Sequence, residues 1–129
     1  MNYSVEPNIL FKDSTILIVD DDVFARTTIA RFLGKRFKEV FQAGNGLDGL
    51  AAYNEHHPDI VVSDIEMPKM NGLEMVKRIK AINADQHIIV ATAYNDDKHK
   101  CPLACRTIIK PISYTALIEA IESCFIKAK

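Results

Sequence analysis

The chain has 129 residues, with 16 Lys+Arg against 17 Asp+Glu, 48% hydrophobic and 8% aromatic content, the profile of one domain large enough to fold without a disulfide framework or structural metal. A formal net charge of −1 leaves no basic excess to neutralise a phosphate backbone, so direct nucleic-acid binding is not expected. The longest uninterrupted apolar runs, such as Ile16 to Val19, are four residues, far short of a bilayer span.

Residues 1–13 carry Pro7 and little periodicity and are expected to form an N-terminal arm ahead of a domain over 14–129. Ile16-Leu17-Ile18-Val19 reads as a buried strand. Val23 to about Phe37, with Phe24, Ile29, Phe32 and Leu33, has helical spacing. A weaker strand, Val40 to Ala43, ends at the turn signal Gly44-Asn45-Gly46. Leu47, Leu50, Ala51 and Asn54 mark a second helix, which His56-His57-Pro58 should stop. The strand Ile60-Val61-Val62 follows. A third helix between Asn71-Gly72 and Asn83 carries Leu73, Val76 and Ile79, and leads to the strand Ile88 to Ala91. From Asn95 to Arg106 apolar positions are few and Pro102 interrupts them, which predicts a short or irregular helix. A last strand at Ile108-Ile109 precedes a helix from Ser113, a predicted N-cap, to about Lys127, with Leu117, Ile121 and Cys124 in register.

Strands alternating with helices predict an α/β fold, a five-stranded parallel sheet with helices on both faces and all strand carboxyl ends on one edge. At those ends stand Asp20-Asp21-Asp22, Ser63-Asp64, Thr92 and Lys110-Pro111. If the first and third strands are neighbours, Asp20, Asp21 and Asp64 converge in the crevice where such sheets bind ligands. Two carboxylates about 4 Å apart repel by roughly 4 kcal/mol at an effective dielectric of 20, so the cluster must protonate, splay or bind a cation. All-oxygen ligands suit Mg²⁺. With Lys110 as a fixed positive charge and Thr92 as a donor, one carboxylate could act as nucleophile in phosphoryl transfer. Taken singly, the Asp run reads as a helix cap, Thr92 as a strand-end hydroxyl and Lys110 as a solvated charge; the combination points to function.

Val19-Asp20-Asp21-Asp22, Val61 to Gly72, Ala91-Thr92-Ala93 and Ile109-Lys110-Pro111 resemble, in order and spacing, the signatures of the receiver domain of bacterial two-component response regulators, over about Ser14 to Lys127. The resemblance implies a doubly wound, flavodoxin-like sheet of order 2-1-3-4-5. It implies that Asp64 is the phosphoacceptor, supplied by a sensor histidine kinase, a histidine phosphotransfer protein or a small acyl phosphate. Asp20, Asp21, Asp64 and the backbone carbonyl of Glu66 would hold Mg²⁺; Thr92 and Lys110 would contact phosphoryl oxygens, and the Lys110-Pro111 bond would be cis. The output would be a downstream effector or an attached domain, with no catalysis beyond self-phosphorylation and autodephosphorylation. Where the family has a switching aromatic residue this chain has Thr107, and Thr92 and Lys110 are only eighteen positions apart. The expected relay is therefore the loop after Thr92, starting at Tyr94. Glu66 and Tyr94, flanking the route of an attacking water, predict a persistent phosphorylated state.

Two rival functions are a haloacid-dehalogenase-type phosphatase, using Asp20 and Asp22 as an Asp-x-Asp pair, and a phosphorylation-independent binding module. The phosphatase lacks an acidic pair after Lys110 other than Glu119 and Glu122. Cys101, Cys105 and Cys124 form an odd set with no apolar leader after Met1, so a reduced, cytoplasmic chain is expected. His99, Cys101 and Cys105 lack zinc spacing and read as a histidine among free thiols. Arg26 and Lys38 are expected on solvent faces.

Overall fold

The computed structural model describes residues 11–96 and 100–127. Its elements are β1 (Phe11–Val19), α1 (Val23–Gly34), β2 (Phe37–Ala43), α2 (Gly46–His56), β3 (Ile60–Asp64), α3 (Gly72–Ile82), β4 (His87–Thr92), β5 (Arg106–Ile109) and α4 (Tyr114–Lys127). The five strands are parallel, in the order β2-β1-β3-β4-β5.

Both faces of the sheet are covered, which is why its central strands are continuous apolar runs. On one face Ile16, Ile18, Val62, Ile89 and Ile108 pack with Ile29 and Leu33 of α1 and Leu117, Ile121 and Cys124 of α4. On the other, Leu17, Val19, Val61, Ile88 and Val90 pack with Tyr53 of α2 and Met75, Val76 and Ile79 of α3. The helices start on side-chain caps: Asp22, Asn45, Asn71 and Ser113 each accept a backbone N–H three residues on, at 2.8–3.1 Å. His57 closes α2 in the left-handed region at φ 47, with His56 stacked on Phe41.

The structure corrects four expectations. Residues 11–13 belong to β1 rather than to an arm. Helix α1 ends at Gly34, and β2 begins at Phe37, the residue expected to end that helix. Phe37 is buried and stacks on Phe11 with ring centroids 4.8 Å apart; that tertiary contact overrides the local helical spacing. Between β4 and β5 the described residues form turns and bends with no helix; His99 lies outside the described residues. Finally, Cys105 and Cys124 are joined as a disulfide, leaving Cys101 as the free thiol, so the reduced set is not what the fold contains.

Candidate functional site

Adjacency of β1 and β3, with Val19 opposite Ser63, sets the carboxyl ends of these strands side by side. Asp20 and Asp64 are each 5% exposed, Asp21 is exposed, and the three offer oxygens that all lie within 4.8 Å of one another. The convergence that the sequence made conditional on strand order is therefore present. Lys110, one residue past β5, reaches across β4 to place Nζ 2.6 Å from Asp64 Oδ1. Its backbone N–H donates to the Thr92 carbonyl at 2.8 Å, which ties the lysine to the end of β4, and the Lys110-Pro111 peptide is cis.

Burial and the charge of Asp20 disfavour ionised Asp64, Lys110 favours it, and the balance pushes the Asp64 carboxyl up from 3.8 to about 7. Burial alone would weaken the charge of Lys110, but Asp64, Asp20 and Glu66 outweigh it and hold its pKa above the usual lysine value. One ammonium thus faces several carboxylates, a crevice whose charge a divalent cation would balance. Three convergent carboxylates are hard oxygen donors, and they fit a small cation of the Mg²⁺ kind.

Thr92 is fully buried at the end of β4. Its hydroxyl donates to the Glu66 carboxylate, 3.1 Å from Oε2, and accepts from the backbone N–H of Tyr94 at 3.1 Å. The Glu66 side chain is therefore turned to Thr92 and stands outside the Asp20–Asp21–Asp64 group. Asp22 caps α1 through the Ala25 N–H, so the Asp20–Asp22 pair of the phosphatase reading is not assembled.

Arg26, expected on a solvent face, proves to be part of the site's frame. Its Nη1 donates to the Asp20 carbonyl at 2.8 Å and its Nε to Gln42 Oε1 at 3.1 Å, bracing the turn that carries Asp20. The only signal for this in the sequence is a four-residue offset from Asp22, too common to single the arginine out. On the far side of the pocket, the loop from β3 to α3 doubles back so tightly that a Cβ on Gly72 would collide with the Asp64 carbonyl, and the Gly72 N–H donates to the Ile65 carbonyl at 2.8 Å.

Residues 16–122 match the family model described as the response regulator receiver domain. The chain belongs to that family. This receiver domain is 39% identical to the chemotaxis protein CheY of Bacillus subtilis, over 83% of this chain and 93% of the relative. Among solved structures, it is similar to the N-terminal domain of a Wolinella succinogenes protein, with TM-score 0.80, 38% identity, and coverage of 91% and 96% of the two chains. It is also similar to CheY in the CheX-CheY-BeF3-Mg²⁺ complex from Borrelia burgdorferi, with TM-score 0.78, 27% identity, and coverage of 97% and 95%. The receiver domain is thus homologous to the phosphoacceptor domains of two-component systems, a relationship that supports this reading over the phosphatase and binding-module alternatives. Among the described residues, no helix is long and apolar enough to cross a membrane.

Proposed function

We propose that Asp64 accepts a phosphoryl group from a phosphohistidine, carried by a sensor kinase or a histidine phosphotransfer protein, or from a small acyl phosphate. The observation that carries this reading is the 2.6 Å contact of Lys110 Nζ with a buried Asp64, beside two further carboxylates. An Asp64 oxygen attacks phosphorus as the donor's N–P or O–P bond breaks, and the leaving group departs with the bonding pair. Lys110 is placed to pair with a phosphoryl oxygen once Asp64 has become an acyl phosphate. Asp20, Asp21, Asp64 and the Glu66 carbonyl are the residues that would hold Mg²⁺, which when bound offsets the negative charge of the transferring group. Thr92 has to release Glu66 before its hydroxyl can donate to the phosphoryl group. That exchange, felt at once by the Tyr94 N–H bonded to Thr92, is the start of the relay into the following loop and onward to an effector. No catalysis is proposed beyond self-phosphorylation and its hydrolytic reversal.

The test is incorporation of phosphate from acetyl phosphate. Labelling should require Mg²⁺, reach at most one phosphate per chain and vanish in Asp64→Asn. Undiminished labelling of Asp64→Asn, or turnover of an added phosphoester, would refute the assignment.

A further inference from the structure

Strand β5 is paired on one side only, through its ladder with β4. It has four residues, lies at the sheet margin, and buries one side chain, Ile108, while Arg106, Thr107 and Ile109 stay exposed. In the described residues before it no helix packs on it. Besides that ladder and the packing of Ile108, a covalent tie holds it on the α4 face: Cys105, immediately before the strand, is bonded to Cys124 of α4, with Cα atoms 5.9 Å apart, inside the usual disulfide range. Cys124 is fully buried in the core beneath α4 and Cys105 is partly exposed against it. The remaining thiol, Cys101, is buried in the core on the opposite face of the sheet, so it is no competitor for either partner. Arg106 donates to Ser123 Oγ at 2.8 Å, a second tie one residue along from each cysteine.

We propose that Cys105 and Cys124 are a thiol–disulfide modification site, worked by low-molecular-weight disulfides, that locks and unlocks β5 on α4. Oxidation proceeds by exchange. The more accessible Cys105 thiolate attacks one sulfur of the small disulfide and expels a thiolate; Cys124 then attacks the Cys105 sulfur of the mixed disulfide and expels a second. The two protons lost by the protein are taken up by the two released thiolates, so two protein thiols and one small disulfide become one protein disulfide and two small thiols. Excess small thiol reverses both steps. The closed loop, 105–124, encloses Lys110, so the modification acts on the strand that delivers the lysine to Asp64.

The full chain is equilibrated with oxidised or with reduced glutathione, then examined by intact mass, peptide mapping after alkylation, and thermal unfolding. No phosphoryl donor is present, so the outcome is independent of the phosphoacceptor assignment. The oxidised sample should lose two hydrogens, yield one linked peptide pair holding Cys105 and Cys124, and melt roughly 10 °C above the reduced one. Cys101→Ser should keep this difference and Cys105→Ser should lose it; the wild-type comparison stands by itself if Cys105→Ser does not fold. Free thiols at both positions in the oxidised sample, a lasting glutathione adduct at Cys105, a bridge to Cys101, or equal melting of the two forms would each overturn the proposal.

Discussion

Asp64 is 5% exposed, and burial is what makes its ionised form uncomfortable. Its pKa of about 7 in the fold, against 3.8 ordinarily, means that between those values the native chain binds more protons than the unfolded one. Stability contributed by the neutral carboxyl is complete below about pH 4 and is lost as the pH rises towards 7, by at most about 1.4 kcal/mol per pH unit. In urea denaturation without divalent cation, the midpoint should fall across that window, and Asp64→Asn should flatten the fall. Adding Mg²⁺ near neutral pH should raise the wild-type midpoint and leave that of Asp64→Asn nearly unmoved. Arg26 acts on the same pocket at one remove, through the Asp20 carbonyl. Arg26→Ala should weaken Mg²⁺ binding roughly 10-fold by calorimetric titration, with Arg26→Lys in between; an unchanged affinity would reduce the arginine to a surface brace. The acidic residues were legible in the sequence because their strands are. Arg26 was not, because its partners, Asp20 and Gln42, are set by how α1 lies against β2.

At the scale of elements, the turn between β3 and α3 decides where Asp64 points. A methyl group on Gly72 would meet the Asp64 backbone, so Gly72→Ala should cost about 1–3 kcal/mol by overpacking. Gly34→Ala, where a Cβ meets nothing within 4 Å, should be neutral or stabilising by up to about 1 kcal/mol. Paired denaturation curves give both values. The buried strands could be read from the sequence because β-branched runs of four residues admit few alternatives. The start of β2 could not, since Arg36 and Phe37 continue a helical pattern that fails only when Phe37 meets Phe11, a residue from the other end of β1. The bridge between Cys105 and Cys124 was hidden for a similar reason: nineteen positions separate them, and only the packing of α4 on β5 brings them together. The position of Thr92 at a strand end was legible, but its bond to Glu66 depends on the path of the loop after Asp64, which no periodicity records.

For the molecule as a whole, the pocket does not end at the carboxylates. A cleft of about 580 Å³ runs from Asp20 and Lys110 between α1 and the start of α4, walled by Phe24, Ile29, Ile112 and Tyr114; Phe24 is 79% exposed. Under the proposed function, a protein carrying the phosphohistidine would approach Asp64 over this cleft, which is continuous with Asp20 and Lys110. Phe24→Ala should cut labelling from a phosphohistidine protein roughly 10-fold or more and leave labelling from acetyl phosphate intact; equal losses from both donors would count against docking there. The sheet's two margins carry a different consequence. An unpaired strand is a template on which foreign chains can polymerise, and proteins blunt it with brevity and charge. Here β5 offers only four residues, bracketed by Arg106 and Lys110, and β2 shows Lys38 and Glu39 to solvent. Among the described residues, neither rim gives a passing peptide much ladder to climb, so edge-to-edge stacking of such domains finds little purchase.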